Sequence, residues 1–322
     1  MEATVSERNS RTPLKPQRSR TLNSPYTDED GTSVIRRPST AREFIQRSSL
    51  ESALRVLVHS NLFISLAATS WVVITAYFAD LTLDPIPLFI VFAVTLFVYS
   101  LNRITDIEED RQNVPGRASF TGRFGHALLG FGILAYLLAI ALAVAWNLPR
   151  VEFMALPLVV ALLYSLAGIK RLLLVKNLIV GASWGAIPLG VGVYYGVLES
   201  LEIQFLFVYV TAMLTIAAVV FDVKDLEGDR EAGIRTVPNT IGVRATRFAA
   251  ATATVLVAVG VVSAVAVGPL SSSFLVLLAF NLYVCWYSVL ASPEYGPLFF
   301  GFVVDGEHVF LGLLVLTVTA VG

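Results

Sequence analysis

From about residue 49 onward the chain alternates long apolar runs with short polar connectors. Nine such runs stand out, at roughly 55–78, 85–101, 124–146, 151–168, 177–197, 203–221, 246–267, 272–291 and 304–321. Most approach or exceed the ~20 helical residues that a ~30 Å hydrocarbon core demands. Several contain Pro or Gly, which a membrane helix tolerates where neighbouring helices satisfy the freed backbone groups. The pattern predicts an all-α membrane protein with nine transmembrane helices. The ninth run has two candidate starts, near Pro297 or at Asp305, and the second suits a helix N-cap.

Residues 1 to 48 differ in kind, being rich in Ser, Thr, Arg and Pro without apolar periodicity. Such a stretch buries too little surface to offset its ordering entropy, so 1–48 is expected to be a disordered cytoplasmic tail and 49–322 the membrane domain. The tail lacks the apolar segment of a cleaved signal peptide. Its basic residues suit either plain solvation or contact with anionic lipid headgroups.

Composition sharpens this reading. The chain is 56% hydrophobic and 15% charged, with a mean hydropathy of +0.72, too apolar for a soluble domain of this length. A single cysteine, Cys285, excludes an intrachain disulfide, and His59, His126 and His308 lack zinc-like spacing. The net charge of -1 is uninformative, but its distribution is not. With the tail inside, 22 of the 23 Lys and Arg fall on one side of nine spans, Arg150 being the exception. Asp80, Asp84, Glu152, Glu199 and Glu202 fall on the other side. The positive-inside rule then predicts a multi-pass cell-membrane protein with a cytoplasmic N-terminus, in contact with membrane lipids and no nucleic acid.

Two acidic stretches interrupt the pattern. "NRITDIEEDR" (102–111) follows the second run and "FDVKDLEGDR" (221–230) follows the sixth. "DIEEDR" at 106–111 aligns without a gap on "DLEGDR" at 225–230, as duplication of one helical unit would produce. On a helix, Asn102, Asp106 and Asp110 share one face, and so do Asp222, Asp225 and Asp229. Stacked carboxylates repel unless a cation lies between them. Hard oxygen ligands from two helices suit Mg²⁺, which binds through a few carboxylates and phosphate oxygens. By the same geometry Glu108, Glu109 and Glu227 point away and are expected to be solvated. The plain alternative is a set of loop charges that helps to fix topology. Charged groups at the membrane boundary are costly, however, and usually functional.

These motifs resemble the UbiA superfamily of intramembrane prenyltransferases. The first family motif, Asn-Asp-x-x-Asp-x-x-x-Asp, is matched by Asn102, Asp106 and Asp110, and the second by Asp222, Asp225 and Asp229. "GDREAGIRTVPNTIG" (228–242) is similar to the family's continuation, with Gly233, Thr236, Pro238 and Gly242 in place, and "YSLAGIKR" (164–171) is a third match. Arg103 departs from the pattern, since the family carries Asp there, and it aligns internally with Asp222.

The resemblance implies a helical bundle whose central cavity opens to the cytoplasmic side. It implies transfer of an isoprenyl group from an isoprenyl diphosphate donor to a lipophilic acceptor of the quinone or aromatic-precursor, ether-lipid or carotenoid type. Asp106, Asp110, Asp225 and Asp229 would be catalytic. Asn102, Asp106, Asp110, Asp222, Asp225 and Asp229 would hold Mg²⁺. Asn102, Arg103, Arg117, Tyr164, Lys170, Arg171 and Lys176 would bind diphosphate. Arg103 either contacts the diphosphate, points outward as a non-ligand, or marks a catalytically altered member with a binding role.

Lesser candidates have everyday readings beside functional ones. Asn177 suits a cap or a ligand, and His59 and Asn61 suit interhelical bonding or an acceptor headgroup. Asp305, Glu307 and His308 suit a helix start. The competing function class is a cation-coupled transporter, which would place its acids nearer the bilayer midplane.

Overall fold

The computed structural model describes residues 51–166, 172–231, 233–296 and 298–321, and the regular structure among them is helical, without a strand. Seven helices are long and apolar enough to cross a bilayer: α3 (Pro85–Thr105), α5 (Pro115–Ala145), α7 (Val175–Tyr195), α8 (Leu201–Phe221), α11 (Val243–Val267), the segment Ser272–Leu290 that ends in α12 (Leu277–Leu290), and Phe299–Val321, which ends in α13 (Glu307–Val321). The protein is thus a multi-pass membrane protein.

Two of the nine runs depart from a simple long helix. The first is split into α1 (Glu51–His59) and α2 (Leu62–Phe78), which meet at 68°. Asn61 makes the break by adopting a left-handed backbone, φ 62°, a conformation that Asn tolerates better than most residues. The fourth run is a 3-10 turn at Val151–Ala155 followed by α6 (Leu156–Leu166). Its remainder lies outside the described residues.

The other boundaries follow local chemistry. α3 starts where the Asp84 side chain accepts from Ile86 N at 2.8 Å, with Pro in the first turn. The third run starts earlier than its apolar pattern, because α5 opens at Pro115 and runs for 31 residues. The ninth span begins at Phe299, near the earlier of its two candidate starts rather than at Asp305, in a π-helical turn over Phe299–Val304. Two short helices, α4 (Ile107–Asn113) and α9 (Leu226–Glu231), carry the second halves of the acidic motifs, and a third, α10 (Val237–Ile241), follows the second motif.

Small residues set how closely the long helices approach. α7 packs on α8 through Gly181 and Gly185, and a Cβ on Gly181 would lie 2.4 Å from the Thr211 carbonyl oxygen. Lipid tails are as apolar as the side chains, so such van der Waals contact is what drives helix association. The interior is aromatic and aliphatic, with Trp71, Phe274, Phe280 and Tyr287 fully buried. Two polar pairs lie within it: Trp71 Nε1 donates to His308 Nδ1 at 3.1 Å, and Tyr287 Oη donates to Glu307 Oε2 at 2.6 Å. Large apolar side chains also cover the outside, among them Leu134, Phe248, Leu256 and Leu282, as lipid contact requires.

Overpacking typically costs ~1–3 kcal/mol, and the Thr211 backbone cannot yield as a flexible side chain would. Gly181→Ala is therefore expected to lower the thermal unfolding midpoint in detergent. Gly190→Ala, on the same helix with nothing within 4 Å of its added Cβ, is expected to leave the midpoint unchanged or slightly raised. Equal midpoints for the two variants would refute the close α7–α8 approach.

Candidate functional site

The two acidic motifs lie at helix ends that the fold brings together. α3 ends at Thr105, Asp106 forms the joint, and α4 continues at an angle. α8 ends at Phe221, and a turn from Asp222 leads into α9. α4 packs on α9, with the Asn113 side chain filling the place a Cβ on residue 228 would take. Gly228 therefore lets the two halves touch.

Basic side chains meet the buried acids. Arg117, near the start of α5, donates Nε to Asp110 Oδ2 at 2.8 Å and Nη2 to Asp110 Oδ1, the two-point geometry a guanidinium favours. Lys176 Nζ lies 2.9 Å from Asp222 Oδ1 and 3.9 Å from Asp229 Oδ2. Asn177 Nδ2 donates to Asp222 Oδ2 at 3.0 Å. Lys224 pairs with Asp225. Burial pushes the Asp222 carboxyl above the usual range, against the pull of Lys176. Burial likewise pushes Asp229 up to about 7, opposed by Lys176 and reinforced by Asp222, Asp225 and Glu109.

At this cluster three buried acceptor oxygens lack a hydrogen-bond partner among the described residues: Asn177 Oδ1, Asp225 Oδ1 and Asp229 Oδ2. Unpaired buried acceptors carry a desolvation cost of about 1–3 kcal/mol each, which a cation would relieve. Among the described residues no three His, Cys, Asp or Glu side chains already converge on a metal position, because Arg117, Lys176 and Lys224 take up the negative charge. The donors nonetheless fit Mg²⁺ in kind, being hard oxygens and partly orphaned.

The sequence candidates separate into groups. Asp110, Asp222, Asp225 and Asp229 join the cation-paired cluster with Arg117 and Lys176. Asn102 and Asp106 are half-buried at the end of α3, where Asp106 Oδ1 accepts from Thr105 Oγ1 at 3.2 Å. Tyr164 lies within electrostatic reach of Asp106, Asp222 and Glu109. Lys170 and Arg171 lie outside the described residues. Glu108 and Glu227 are exposed as expected. Glu109 is not simply solvated, since it is half-buried and within electrostatic reach of Asp229. Asn177 proves to be a partner of Asp222 rather than a cap.

Arg103 turns to a different place. Its Nε donates to Asn61 Oδ1 at 3.3 Å, and its side chain lines a cavity of about 40 Å³ with His59, Asn61, Arg117, Lys224 and Asp305. Lys224 was not among the sequence candidates. Its neighbour Asp225 was the only available signal, because its place on the cavity wall with Arg117 depends on how α5 and α8 pack.

Comparison with known proteins follows this geometry. The model of the UbiA prenyltransferase family matches residues 55–294. A digeranylgeranylglyceryl phosphate synthase of Sulfolobus acidocaldarius is 29% identical over 185 residues, which is 56% of this chain and 62% of that protein. The match thus spans about three fifths of that relative's length. Among solved structures, the apo UbiA homolog from Aeropyrum pernix K1 superposes with a TM-score of 0.61 at 17% identity, covering 80% of this chain and 97% of its own. A UbiA homolog from Archaeoglobus fulgidus bound to GPP and Mg²⁺ superposes with a TM-score of 0.55 at 12% identity, covering 82% and 99%. At these identities the two structures speak for the fold.

Breaking a buried ion pair by removing one partner costs ~3–5 kcal/mol. Lys176→Met should therefore markedly lower the unfolding midpoint of the Mg²⁺-free protein in detergent. Adding Asp222→Asn to Lys176→Met should cost less than the sum of the single changes. Additivity within about 0.5 kcal/mol would show that the pair is not coupled.

Proposed function

This chain belongs to the UbiA prenyltransferase family, and we propose that it transfers an isoprenyl group from an isoprenyl diphosphate to a lipophilic acceptor with Mg²⁺ as cofactor. The observation that carries the reading is the meeting of two aspartate motifs at one end of the bundle, with orphaned oxygens on Asn177, Asp225 and Asp229.

In this reading Asn102, Asp106 and Asp110 from the first motif, and Asp222, Asp225 and Asp229 from the second, hold the metal. Mg²⁺ supplies Lewis-acid neutralisation of the diphosphate, which makes it a better leaving group. Lys176 and Arg117, with Lys170 and Arg171, place positive charge where the diphosphate charge develops as the allylic C–O bond breaks. Arg103 and Tyr164 stand as further diphosphate contacts. The bond to the acceptor forms at the same allylic carbon, and the acceptor's proton passes to a motif carboxylate or to the departing diphosphate. The apolar bundle interior excludes water that would otherwise quench the cation.

The same reading takes the bent α1–α2 pair and the short Val151–Tyr164 segment as crossings beside the seven long helices, nine in all. The distribution of Lys and Arg puts the N-terminus, the motifs and the cavity mouth on the cytoplasmic side. The reading assigns the prenyltransferase domain to 49–322, and the expected tail over 1–48 lies outside the described residues.

Purified protein in detergent, given radiolabelled geranylgeranyl or farnesyl diphosphate and a total-lipid extract, is expected to move label into lipid only when Mg²⁺ is present. Asp106→Ala and Asp229→Ala are each expected to reduce transfer by about 100-fold or more. Absence of both transfer and diphosphate binding would sink the enzyme reading. Full activity in both variants would show that the metal site is elsewhere.

A further inference from the structure

The two acidic motifs approach each other on short helices that carry like charge. α4 brings Glu109 and Asp110, with Asp106 at its first joint, and the α8–α9 turn brings Asp222, Asp225 and Asp229. Glu109 lies within electrostatic reach of Asp229. Facing carboxylates favour separation, so their mutual distance has to be set by something other than the acids.

Each motif is anchored on its own outer side. Arg117 ties Asp110 to α5, and Lys176 ties Asp222 and Asp229 to α7. These pairs fix α4 and α9 to different neighbours and leave the gap between the motifs to be decided where α4 meets α9.

There a carboxamide lies on a bare backbone. A Cβ built on Gly228 would stand 1.7 Å from Asn113 Oδ1, 2.8 Å from its Cγ and 3.2 Å from its Nδ2. All three nearest atoms belong to that one side chain. Asn113 shares a helix face with Asp110, three residues before it, and Gly228 directly precedes Asp229. The contact therefore sits beside an acid of each motif.

A neutral contact supplies what charge alone does not. A cation between the motifs draws the acids together, but Coulomb attraction has no preferred distance. The Asn113 carboxamide against Gly228 stops that approach at van der Waals contact. A methyl group at position 228 would force Oδ1 back by more than an ångström. Displacements of ~1 Å at a reacting centre cost roughly 100-fold in rate.

We infer that Asn113 and Gly228 are a positioning pair, whose contact sets the spacing of the two aspartate motifs and with it the Mg²⁺ requirement for binding the donor diphosphate. This rests on the proposed function and adds two residues that act through Asp110 and Asp229 rather than on the substrate.

The protein in detergent is titrated calorimetrically with geranylgeranyl diphosphate at a series of Mg²⁺ concentrations, and transfer is measured in parallel. Gly228→Ala should raise the Mg²⁺ concentration that supports half-maximal affinity by about 10-fold and lower transfer by about 100-fold. Asn113→Ala, which removes the stop, should raise the requirement less. The double variant moves bulk from one helix to the other, and volume-conserving exchanges are tolerated best. It should therefore return both measurements to within about 3-fold of the wild type. A purely structural role would lower the unfolding midpoint and leave the Mg²⁺ requirement of the folded variants unchanged. That result would overturn the inference, and so would a Gly228→Ala loss that Asn113→Ala does not relieve. If Gly228→Ala fails to fold, Asn113→Gln, one methylene longer, decides instead: a raised Mg²⁺ requirement supports the pair and an unchanged one overturns it. If the wild type binds no diphosphate at any Mg²⁺ concentration, the proposed function fails first.

Discussion

The need to compensate buried carboxylates organises one end of this bundle. Asp110, Asp222 and Asp229 are almost fully buried, and an isolated ionised carboxylate there would cost several kcal/mol. Each is met by a cation from a different element, Arg117 for the first and Lys176 for the other two. These pairs tie α4 to α5 and α7 to the α8–α9 turn, so the charges that make the site chemical also hold its walls together. The compensation is incomplete, because acceptor oxygens on Asp225, Asp229 and Asn177 remain without a hydrogen bond, Lys176 standing off at 3.9 Å from the one on Asp229. An arrangement that stops just short of satisfying its own acids is suited to receiving a further cation.

Breaks in the helices make room for this chemistry. A run of straight, close-packed helices such as α7 and α8, joined by Gly181 and Gly185, would leave no open volume. At the motif end the chain instead bends at Asn61, turns at Asp106, restarts at α9 and widens into a π turn over Phe299–Val304. Irregular backbone at membrane depth is tolerated where it is buried in protein or lines a cavity, and the Asn61 break and the π turn both line the one beside Arg103. Other buried polar side chains pair with one another. Tyr287 satisfies Glu307 and Trp71 satisfies His308, inside a core that is otherwise aromatic and aliphatic.

The near-repeat of the two motifs acquires a physical meaning in three dimensions. Position 103 in the first half and 222 in the second are aligned in sequence but opposite in charge. Asp222 draws Lys176 and Asn177 to itself, whereas Arg103 faces away toward Asn61 and Asp305. One half holds its acid with an outside cation, and the other supplies a cation to a neighbouring cavity. The two near-repeats thus meet different surroundings rather than two copies of one.

Hydropathy and local pattern alone determined that the chain is helical and membrane-spanning, where most apolar runs lie, and that the acids of 102–111 and 225–230 belong together. Those are properties of composition, period and spacing, and they are readable because lipid forces each span to satisfy its own backbone. Tertiary structure decided the rest. The bend at Asn61 was hidden because a single left-handed residue leaves hydropathy unchanged. The early start at Pro115 lies in a polar stretch, where proline at the first helical position rather than apolarity opens the helix. Lys224 and Asp305 came to line the cavity beside Arg103, and Glu109 moved near the second motif, only once α3, α5, α8 and the last span had packed. Which side chain meets which across helices more than a hundred residues apart is set by that packing, and no local window of sequence contains it.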